Sequence, residues 1–182
     1  MDGIEGRLIR MQEARDRIYS STLEVIRICG KSITHVHAGK IKEAELLLRE
    51  AKKKLDLLGK TEKGNEYYTL QAHQEYVEAY IVYNIVVKGR VPTLEEMGES
   101  DAAYLLGMLD VVGELKREAF ECLRKADVKK AREYYGIMAE IYDSTRHMRF
   151  SDSITPDLRK KQDMARIQME STSTELLRFA GK

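Results

Sequence analysis

The sequence predicts an all-α protein, an antiparallel helical bundle of about six to seven helices with a long first helix. Three observations predict this class. Apolar residues recur at helical spacing through most of the chain, and no stretch sustains the two-residue alternation of a strand. The 182 residues include only two prolines, Pro92 and Pro156. The connections between the helical stretches are short, which favours antiparallel neighbours in a bundle.

The first part of the chain is predicted to hold two long helices. The first runs from about residue 4 to about residue 37 and ends at Gly39, a residue typical of helix C-terminal caps. A helix of this length often extends beyond its own bundle and packs against a neighbouring subunit. The second runs over residues 41–58, and the polar loop GKTEKGN, residues 59–65, follows it.

A third and a fourth long helix are predicted over residues 67–87 and about 102–125. A short helical turn, TLEEMG, lies between them, and the dipeptide Ser100-Asp101 after it is a typical N-terminal cap. Both prolines stand where a helix is expected to begin, because proline is tolerated at the first helical position.

The last part of the chain predicts two more helices, over residues 126–150 and over residues 157–179. Pro156 is expected to open the second of them. No internal repeat and no low-complexity tract divides the chain, so we predict one domain over residues 1–182.

The composition excludes several classes of protein. Lys and Arg total 31 against 30 Asp and Glu, which gives no strong field to attract nucleic acid, although a local basic patch stays compatible with these totals. No apolar run approaches the roughly 18 residues that a membrane span needs. The first residues, MDGIEGRLIR, lack the apolar core of a signal peptide. Cys29 and Cys122 are isolated thiols, which fits a reducing cytoplasm.

Two acids stand inside the otherwise apolar stretch YLLGMLDVVGELKREAF, residues 104–120. Asp110 and Glu114 are four residues apart, so they share one face of the helix within about 40°. Small residues lie on the same strip, beside a stripe of Leu and Val. A helix that buries this much apolar surface has no packing use for two carboxylates, which makes the pair a candidate site.

The third predicted helix carries a second acidic pair in HQEYVEAYIVYNIVV. Glu75 and Glu78 are three residues apart, about 60° around the helix. If the two helices are antiparallel neighbours, four carboxylates can converge, and their mutual repulsion requires a cation. Ligation by oxygen alone suits Mg²⁺ or Mn²⁺ better than Zn²⁺.

The ordinary explanation of such a pair is a solvated helix face, and for either pair taken alone it is favoured. Other constellations are weaker still. The chain lacks the paired Glu-x-x-His motifs of a ferritin-like di-iron site, and it has no phosphate-binding glycine loop. His73 could line the same cavity as Glu75, although an exposed or hydrogen-bonded histidine is commoner. The tyrosines Tyr76, Tyr80 and Tyr83 are first of all a packing stripe.

Three motifs in order resemble the translin family: QEYVEA at residues 74–79, YLLGMLDVVGELKR at 104–117 and LRKKQDMAR at 158–166. The frame Y-L-L-G-x-x-D-x-x-G-E-L-x-R is the most specific and resembles the branch of translin-associated factor X, TRAX. The chain is shorter at both ends than the eukaryotic members, as in a compact archaeal TRAX-like protein.

The resemblance implies about seven helices, assembly into a hollow homo-octamer that encloses RNA, and a translin-like partner subunit as an option. It also implies an endoribonuclease whose catalytic acids correspond to Glu75, Glu78, Asp110 and Glu114. Translin itself mainly binds single-stranded nucleic acid and lacks the first acidic pair. An enclosed cavity can concentrate basic residues, so a net charge of +1 does not exclude RNA binding.

The sequence therefore predicts a metal-dependent endoribonuclease that cleaves single-stranded or accessible RNA. Glu75, Glu78, Asp110 and Glu114 would hold Mg²⁺ or Mn²⁺, and the metal would activate water and leave 5′-phosphate and 3′-hydroxyl ends. Candidate nucleic-acid contacts are Arg117, His73, Arg159 and Lys160. A solvated face is the ordinary explanation of the basic segment LRKKQDMAR, although Lys161 and Arg166 in it could also touch phosphates. The alternatives are an octamer that binds RNA or single-stranded DNA without cutting it, and a structural bundle whose acids are solvated.

Overall fold

The structure is a computed structural model that describes residues 2–59 and 66–180. These residues form seven helices and no strand, which confirms the predicted fold class. The helices are α1 Asp2–His37, α2 Ile41–Gly59, α3 Glu66–Lys88, α4 Leu94–Met97, α5 Asp101–Arg124, α6 Val128–Thr145 and α7 Leu158–Ala180. Most of the loop predicted after α2, residues 60–65, lies outside the described residues.

The chain divides into two compact units, Met1–Tyr83 and Asn84–Lys182, and the boundary falls within α3. In the first unit α1 packs against α2 after a tight turn, in which Gly39 has a φ of 70°. Glycine adopts this left-handed conformation without the steric cost of a β-carbon, so Gly39 ends the helix readily. Buried side chains of this unit include Val25, Ile28, Leu48, Leu55, Val77, Ile81 and Val82.

Polar side chains of α1 fasten the other helices of the first unit. The Ser32 hydroxyl donates to the carbonyl oxygen of Ala44 on α2 at 3.0 Å. The Thr22 hydroxyl donates to the carbonyl oxygen of Tyr68 on α3 at 3.4 Å. Both hydroxyls belong to buried residues, so these bonds spare them the cost of leaving water unpaired.

The second unit is built on α5, which packs against both α6 and α7, while α6 packs against α7. The apolar stripe of α5 fills the space between these helices because its residues recur at helical spacing. Fully buried side chains in this unit include Leu106, Val111, Val112, Leu115 and Met138.

Neither proline opens a helix, and the sequence prediction was wrong on this point. α4 begins after Thr93, whose hydroxyl accepts from the Glu96 amide at 3.3 Å while the Glu96 carboxylate accepts from the Thr93 amide at 2.8 Å. This reciprocal capping places the helix start after the residue that follows Pro92. α7 begins at Leu158, because Asp157 after Pro156 takes a left-handed conformation with a φ of 58°.

The helix predicted over residues 126–150 spans only Val128–Thr145, so the predicted end was wrong. The buried Gln162 of α7 explains this end, because its amide donates to the carbonyl oxygens of Thr145 at 2.8 Å and Met148 at 3.2 Å. The Arg149 guanidinium donates to the Gln162 side-chain oxygen at 3.1 Å. In a longer helix these carbonyl oxygens would accept hydrogen bonds from backbone amides. Here they accept them from the Gln162 side chain instead.

A membrane span is not found in the part of the chain that the structure describes, because none of its helices is long and apolar enough.

Candidate functional site

Helix α5 positions the second acidic pair. Ser100 caps its N-terminus, with the hydroxyl accepting from the Ala103 amide at 3.3 Å. Asp110 and Glu114 are both half-buried, one turn apart, and Leu109 and Leu115 beside them are buried. The pair therefore lies at the edge of the core of the second unit rather than on an open helix face.

The Asp110 carboxylate is bound by the ammonium group of Lys161. The Lys161 Nζ atom donates to both carboxylate oxygens, at 2.6 Å and 2.7 Å. The side chains are only 20% and 26% exposed, for Lys161 and Asp110 respectively, so water screens this pair less than a surface pair. Helices α5 and α7 are joined here by an ion pair that lies at the candidate site.

Gly113 brings a second α7 side chain to the same face of α5. A β-carbon added to Gly113 would lie 3.1 Å from the Gln168 Nε2 atom, closer than ordinary van der Waals contact. Because Gly113 has no side chain, the Gln168 amide can lie close to the α5 backbone, about one turn after Asp110. Gln168 is seven residues after Lys161, which puts both on one face of α7.

A pocket of about 280 Å³ opens at this place in the second unit. Its charged lining is balanced, with two acids and two lysines. The residues that line it are Leu109, Asp110, Asp157, Lys160, Lys161, Met164 and Gln168. It combines carboxylates, two ammonium groups and an amide, which are groups that bind phosphate, cations and sugar hydroxyls.

The first acidic pair lies in the first unit, on α3. Glu75 and Glu78 are half-buried and lie close to the thiol of Cys29 on α1, which is 0% exposed. Burial raises the pKa of the Cys29 thiol well above its usual range, and the negative charges of Glu75 and Glu78 raise it further. The charges of Glu75 and Glu78 thus both act on the Cys29 thiol. That all four acids converge stays a prediction.

The tyrosine stripe of α3 packs as the sequence predicts. The rings of Tyr76 and Tyr80 are stacked, with centroids 5.8 Å apart, and the Lys52 ammonium of α2 lies 5.5 Å from the Tyr76 ring centroid. Tyr83 interacts with Glu45 of α2, and burial together with that negative charge raises the pKa of the Tyr83 hydroxyl. These contacts hold the part of α3 that belongs to the first unit against α2.

The four candidate nucleic-acid contacts are spread over both units. His73 is half-buried on α3, while Arg117 is exposed on α5. Arg159 is exposed and forms an ion pair with Asp163 at 3.5 Å. Lys160 is exposed and lines the same pocket as Asp110. It therefore lies near one of the four predicted catalytic acids.

The predicted metal ligands fit Mg²⁺ or Mn²⁺ in the type of donor but not in their arrangement. Carboxylate oxygens are the ligands that these ions prefer. Across residues 2–59 and 66–180, however, no group of three or more His, Cys, Asp or Glu side chains is placed to hold a metal ion. Asp110 already carries the ammonium of Lys161.

Gln168 is a candidate that sequence reasoning misses, and Lys161 is predicted only as a basic residue that could touch phosphate, not as the partner of Asp110. In the sequence Lys161 stands out only as part of a basic segment, and Gln168 does not stand out at all. The one signal for them is their spacing of seven residues on α7, which also describes many solvated positions. Their partners on α5 are set by helix packing, which the spacing does not reveal.

The chain is similar in sequence to known proteins over most of its length. A family model described as the Translin family matches residues 8–171. An uncharacterised protein of Methanocaldococcus jannaschii is 27% identical over 176 residues, which cover 94% of this chain and 79% of the relative.

Among solved structures, the chain is similar to AfC3PO in a complex with duplex RNA, with 31% identity and a TM-score of 0.88 over 98% of this chain and 95% of that one. A second AfC3PO structure gives 32% identity and a TM-score of 0.87, covering 98% and 96%. Apo-NeC3PO is 20% identical with a TM-score of 0.87 over 98% and 96%, a likeness of fold alone. Because the family model spans most of the sequence, the chain belongs to the Translin family.

Proposed function

We propose that this protein binds RNA as a translin-type oligomer and cleaves it as an endoribonuclease of the TRAX-like branch. The observation that carries the proposal is the likeness to AfC3PO, which is 31% identical over 98% of this chain and was solved with duplex RNA. A likeness of this extent covers the whole helical framework, including the segments that hold both acidic pairs.

The geometry of the second unit supports a site for RNA phosphates. Lys160 and Lys161 lie at the pocket on α7, and the amide of Gln168 lies beside them. Ammonium groups and amide N–H groups are common donors to phosphate oxygens. The half-buried Asp110 and Glu114 are within the same region of α5, where a carboxylate can accept a proton from an attacking water or orient it.

We propose Glu75, Glu78, Asp110 and Glu114 as the catalytic residues, with Mg²⁺ or Mn²⁺ as the cation required for activity. The support for the cation is the chemistry of four oxygen donors. Cleavage by water should leave 5′-phosphate and 3′-hydroxyl ends.

We also propose that Arg117, His73, Arg159 and Lys160 contact RNA. Because each neutralised phosphate releases counterions, replacing Lys160 or Arg159 by Gln should weaken binding at low salt. The slope of log affinity against log salt should fall by about 0.7 to 0.9 for each phosphate that is no longer neutralised. The same titrations on single-stranded RNA, duplex RNA and single-stranded DNA show which nucleic acid the protein prefers.

The test of cleavage uses a 5′-labelled RNA, single-stranded or duplex, with Mn²⁺, Mg²⁺ or EDTA. Glu114→Gln and the double variant Glu75→Gln with Glu78→Gln should abolish cleavage while RNA binding, measured by fluorescence anisotropy, stays within about twofold. Glu140→Gln is the matched control, because Glu140 is an exposed acid on α6. Cleavage that survives both acid variants would contradict the assignment.

A second candidate is an oligomer that binds RNA or single-stranded DNA without cutting it. The ion pair between Asp110 and Lys161 favours this candidate, because it gives the acid a structural partner. The two candidates differ in one result: a binder retains the labelled RNA intact with every cation, whereas the nuclease shortens it.

The further details of the proposal concern assembly and location. We propose a homo-octamer, with a translin-like partner subunit as the alternative composition, and a cytoplasmic location that suits the free cysteines Cys29 and Cys122. Light scattering on the purified chain measures the particle mass and distinguishes an octamer from smaller forms.

A further inference from the structure

A second pocket of the second unit lies between α6 and α7, and its described lining includes none of the four predicted catalytic acids. Its volume is about 480 Å³, larger than that of the pocket at Asp110. The residues that line it are Tyr135, Tyr142, Arg166, Met169, Glu170, Ser173 and Thr174. Arg166 and Lys161 are five residues apart on α7, about 140° around the helix, so the two pockets lie on different flanks of α7.

Two tyrosines of α6 form one wall of this second pocket. Tyr135 and Tyr142 are seven residues apart, so they share one face of the helix and are about 10.5 Å apart along its axis. Ala139 occupies the position between them on that face and is half-buried. A small side chain between two aromatic rings leaves a cleft, in which a flat ligand can stack on a bordering ring.

The opposite wall, on α7, carries a donor and an acceptor side by side. The Arg166 guanidinium donates to the Glu170 carboxylate at 2.9 Å, and the two side chains are 47% and 63% exposed. The Glu170 carboxylate raises the pKa of Arg166 above its usual value, with smaller contributions from Asp163 and from Tyr142. Arg166 therefore lies near the tyrosine wall. Because a guanidinium has five N–H donors and a carboxylate has two acceptor oxygens, the pair can bind a ligand without separating.

We propose that this pocket binds an unpaired nucleobase in the cleft between Tyr135 and Tyr142, stacked on the Tyr142 ring and held at its edge by Arg166 and Glu170. Guanine illustrates the match, because its O6 and N7 acceptors suit an arginine and its amino donor suits a carboxylate. A base inside a duplex is already stacked and paired, so the pocket selects bases that are splayed out of a strand.

The nucleobase can come from a free nucleotide or from an RNA strand, and the same groups recognise it in both cases. For a strand, the inference rests on the proposed RNA binding. It would give the protein a contact with single-stranded RNA that is independent of phosphate charge, since stacking on an aromatic ring occurs with the base itself.

The test titrates guanosine 5′-monophosphate into the full chain and measures binding by saturation-transfer NMR of its base proton. Tyr142→Leu should weaken binding about fivefold or more, the least that a lost base stack costs, whereas Tyr142→Phe keeps the ring and should stay within about twofold. Arg166→Gln should also weaken binding about fivefold, because it removes the donor to the base edge.

Arg178→Gln is the matched control, because Arg178 is an exposed arginine of α7 that is likewise paired with a glutamate, Glu175, but is outside the described lining of the pocket. Its affinity should stay within about twofold of the unaltered protein. If Tyr142→Leu fails to fold by circular dichroism, Arg166→Gln carries the test, since an exposed ion pair contributes little to stability.

Two further ligands identify what is bound. Ribose 5-phosphate has the phosphate without the base and should bind at least about fivefold more weakly than the nucleotide. A short single-stranded RNA that displaces the nucleotide shows that the pocket takes a base of a strand. If the RNA binds the protein and leaves the nucleotide in place, the pocket serves a free nucleotide.

The proposal is overturned if the nucleotide does not bind, if ribose 5-phosphate binds equally well, or if Tyr142→Leu and Arg166→Gln leave the affinity unchanged. It is also overturned if Tyr142→Phe loses as much affinity as Tyr142→Leu, or if Arg178→Gln has the effect of Arg166→Gln. The nucleotide titration involves no cleavage, so its failure is separate from that of the proposed function. A nuclease that cuts RNA at the acids can lack nucleotide binding here, and a protein that never cuts RNA can show it.

Discussion

At the scale of single residues, the contact between Asp110 and Lys161 explains why a carboxylate can stand in a helix that otherwise buries Leu and Val. The ammonium group neutralises the charge, and both carboxylate oxygens accept its N–H groups. Removing one partner of such a pair leaves the other partly buried without compensation, which costs more than the pair gains. Asp110 is therefore expected to matter for the stability of the second unit as well as for function.

The close approach of Gln168 to Gly113 gives a stability prediction. Replacing a glycine inside a helix by alanine usually stabilises by about 0.5 to 1 kcal/mol. Gly136 of α6 is exposed with open space around it, so Gly136→Ala should give this full gain. Gly113→Ala should gain less, because its new methyl group must push the Gln168 amide aside from 3.1 Å.

Urea unfolding of both alanine variants measures the difference. RNA binding provides a second readout, since only Gly113→Ala displaces a pocket side chain and should weaken it. Equal gains in stability from the two substitutions would show that the Gln168 amide does not crowd Gly113.

The buried thiol of Cys29 gives a prediction of reactivity. Because burial and the charges of Glu75 and Glu78 raise its pKa, the thiol stays protonated in the folded protein at pH 8. Iodoacetamide should therefore modify Cys29 far more slowly than the half-buried Cys122, as measured by peptide mass spectrometry. In denaturant the two rates should become similar; comparable rates in the folded protein would contradict the burial of Cys29.

The same thiol sets a pH dependence of stability. The unfolded thiol ionises near its ordinary pKa of 9.0, whereas the folded thiol does not. Its contribution is thus fully present below pH 9 and is lost as the pH rises above that value, by about 1.4 kcal/mol per pH unit. The free energy of unfolding of Cys29→Ala should fall less steeply above pH 9 than that of the unaltered protein.

At the scale of the elements, the connection between α6 and α7 is stabilised by the buried side-chain amide of Gln162. Gln162 is 4% exposed and bonds the Thr145 and Met148 carbonyl oxygens as well as the Arg149 guanidinium. Both the amide nitrogen and the amide oxygen of Gln162 therefore have hydrogen-bond partners. The Gln162 side chain thus connects the end of α6 to the first turns of α7. Because Lys161 precedes Gln162 in α7, this connection helps to set the position of Lys161 along the helix, opposite Asp110.

A substitution that keeps the shape but removes the donor tests this join. Gln162→Glu should destabilise the protein by about 1 to 3 kcal/mol, because a carboxylate would face two carbonyl oxygens. Gln168→Glu is the control, since Gln168 is half-buried and lines an open pocket. Guanidinium unfolding measures both. A destabilisation below about 0.5 kcal/mol for Gln162→Glu would show that water replaces its bonds.

At the scale of the whole molecule, the first turns of α1 carry apolar side chains that no other part of the described chain covers. Ile4, Leu8 and Met11 lie on one face of the helix and are 58%, 59% and 68% exposed. Together with the family, this exposed face supports the proposed assembly into an oligomer, because contiguous exposed apolar surface commonly marks an interface.

The assembly is tested by adding charge to this face. Leu8→Glu with Met11→Glu should lower the particle mass measured by light scattering, because a carboxylate buried in an interface loses its hydration. Gln12→Glu with Ser20→Glu adds the same charge at exposed polar positions of α1 and should leave the mass unchanged. If both double variants keep the mass of the unaltered protein, this face of α1 is outside the interface.

Much of the fold could be predicted because helical periodicity is a local property of the sequence. The bounds of α1, α2, α3 and α5 agree with the prediction to within one or two residues, since each apolar stripe and its flanking glycine or cap lie close together in the chain. The starts of α4 and α7 could not be predicted from proline alone. They depend on the capping of Thr93 and on the left-handed Asp157.

The sequence alone determined the helical class, the family and the two acidic pairs, because each is carried by short-range spacing. Only the tertiary structure decided what the acids contact: Lys161 lies on Asp110 although the two are 51 residues apart, and Gln168 lies over Gly113. The physical reason is that spacing along one helix fixes which side chains share a face. Which face of which other helix they meet is decided by the packing of the core.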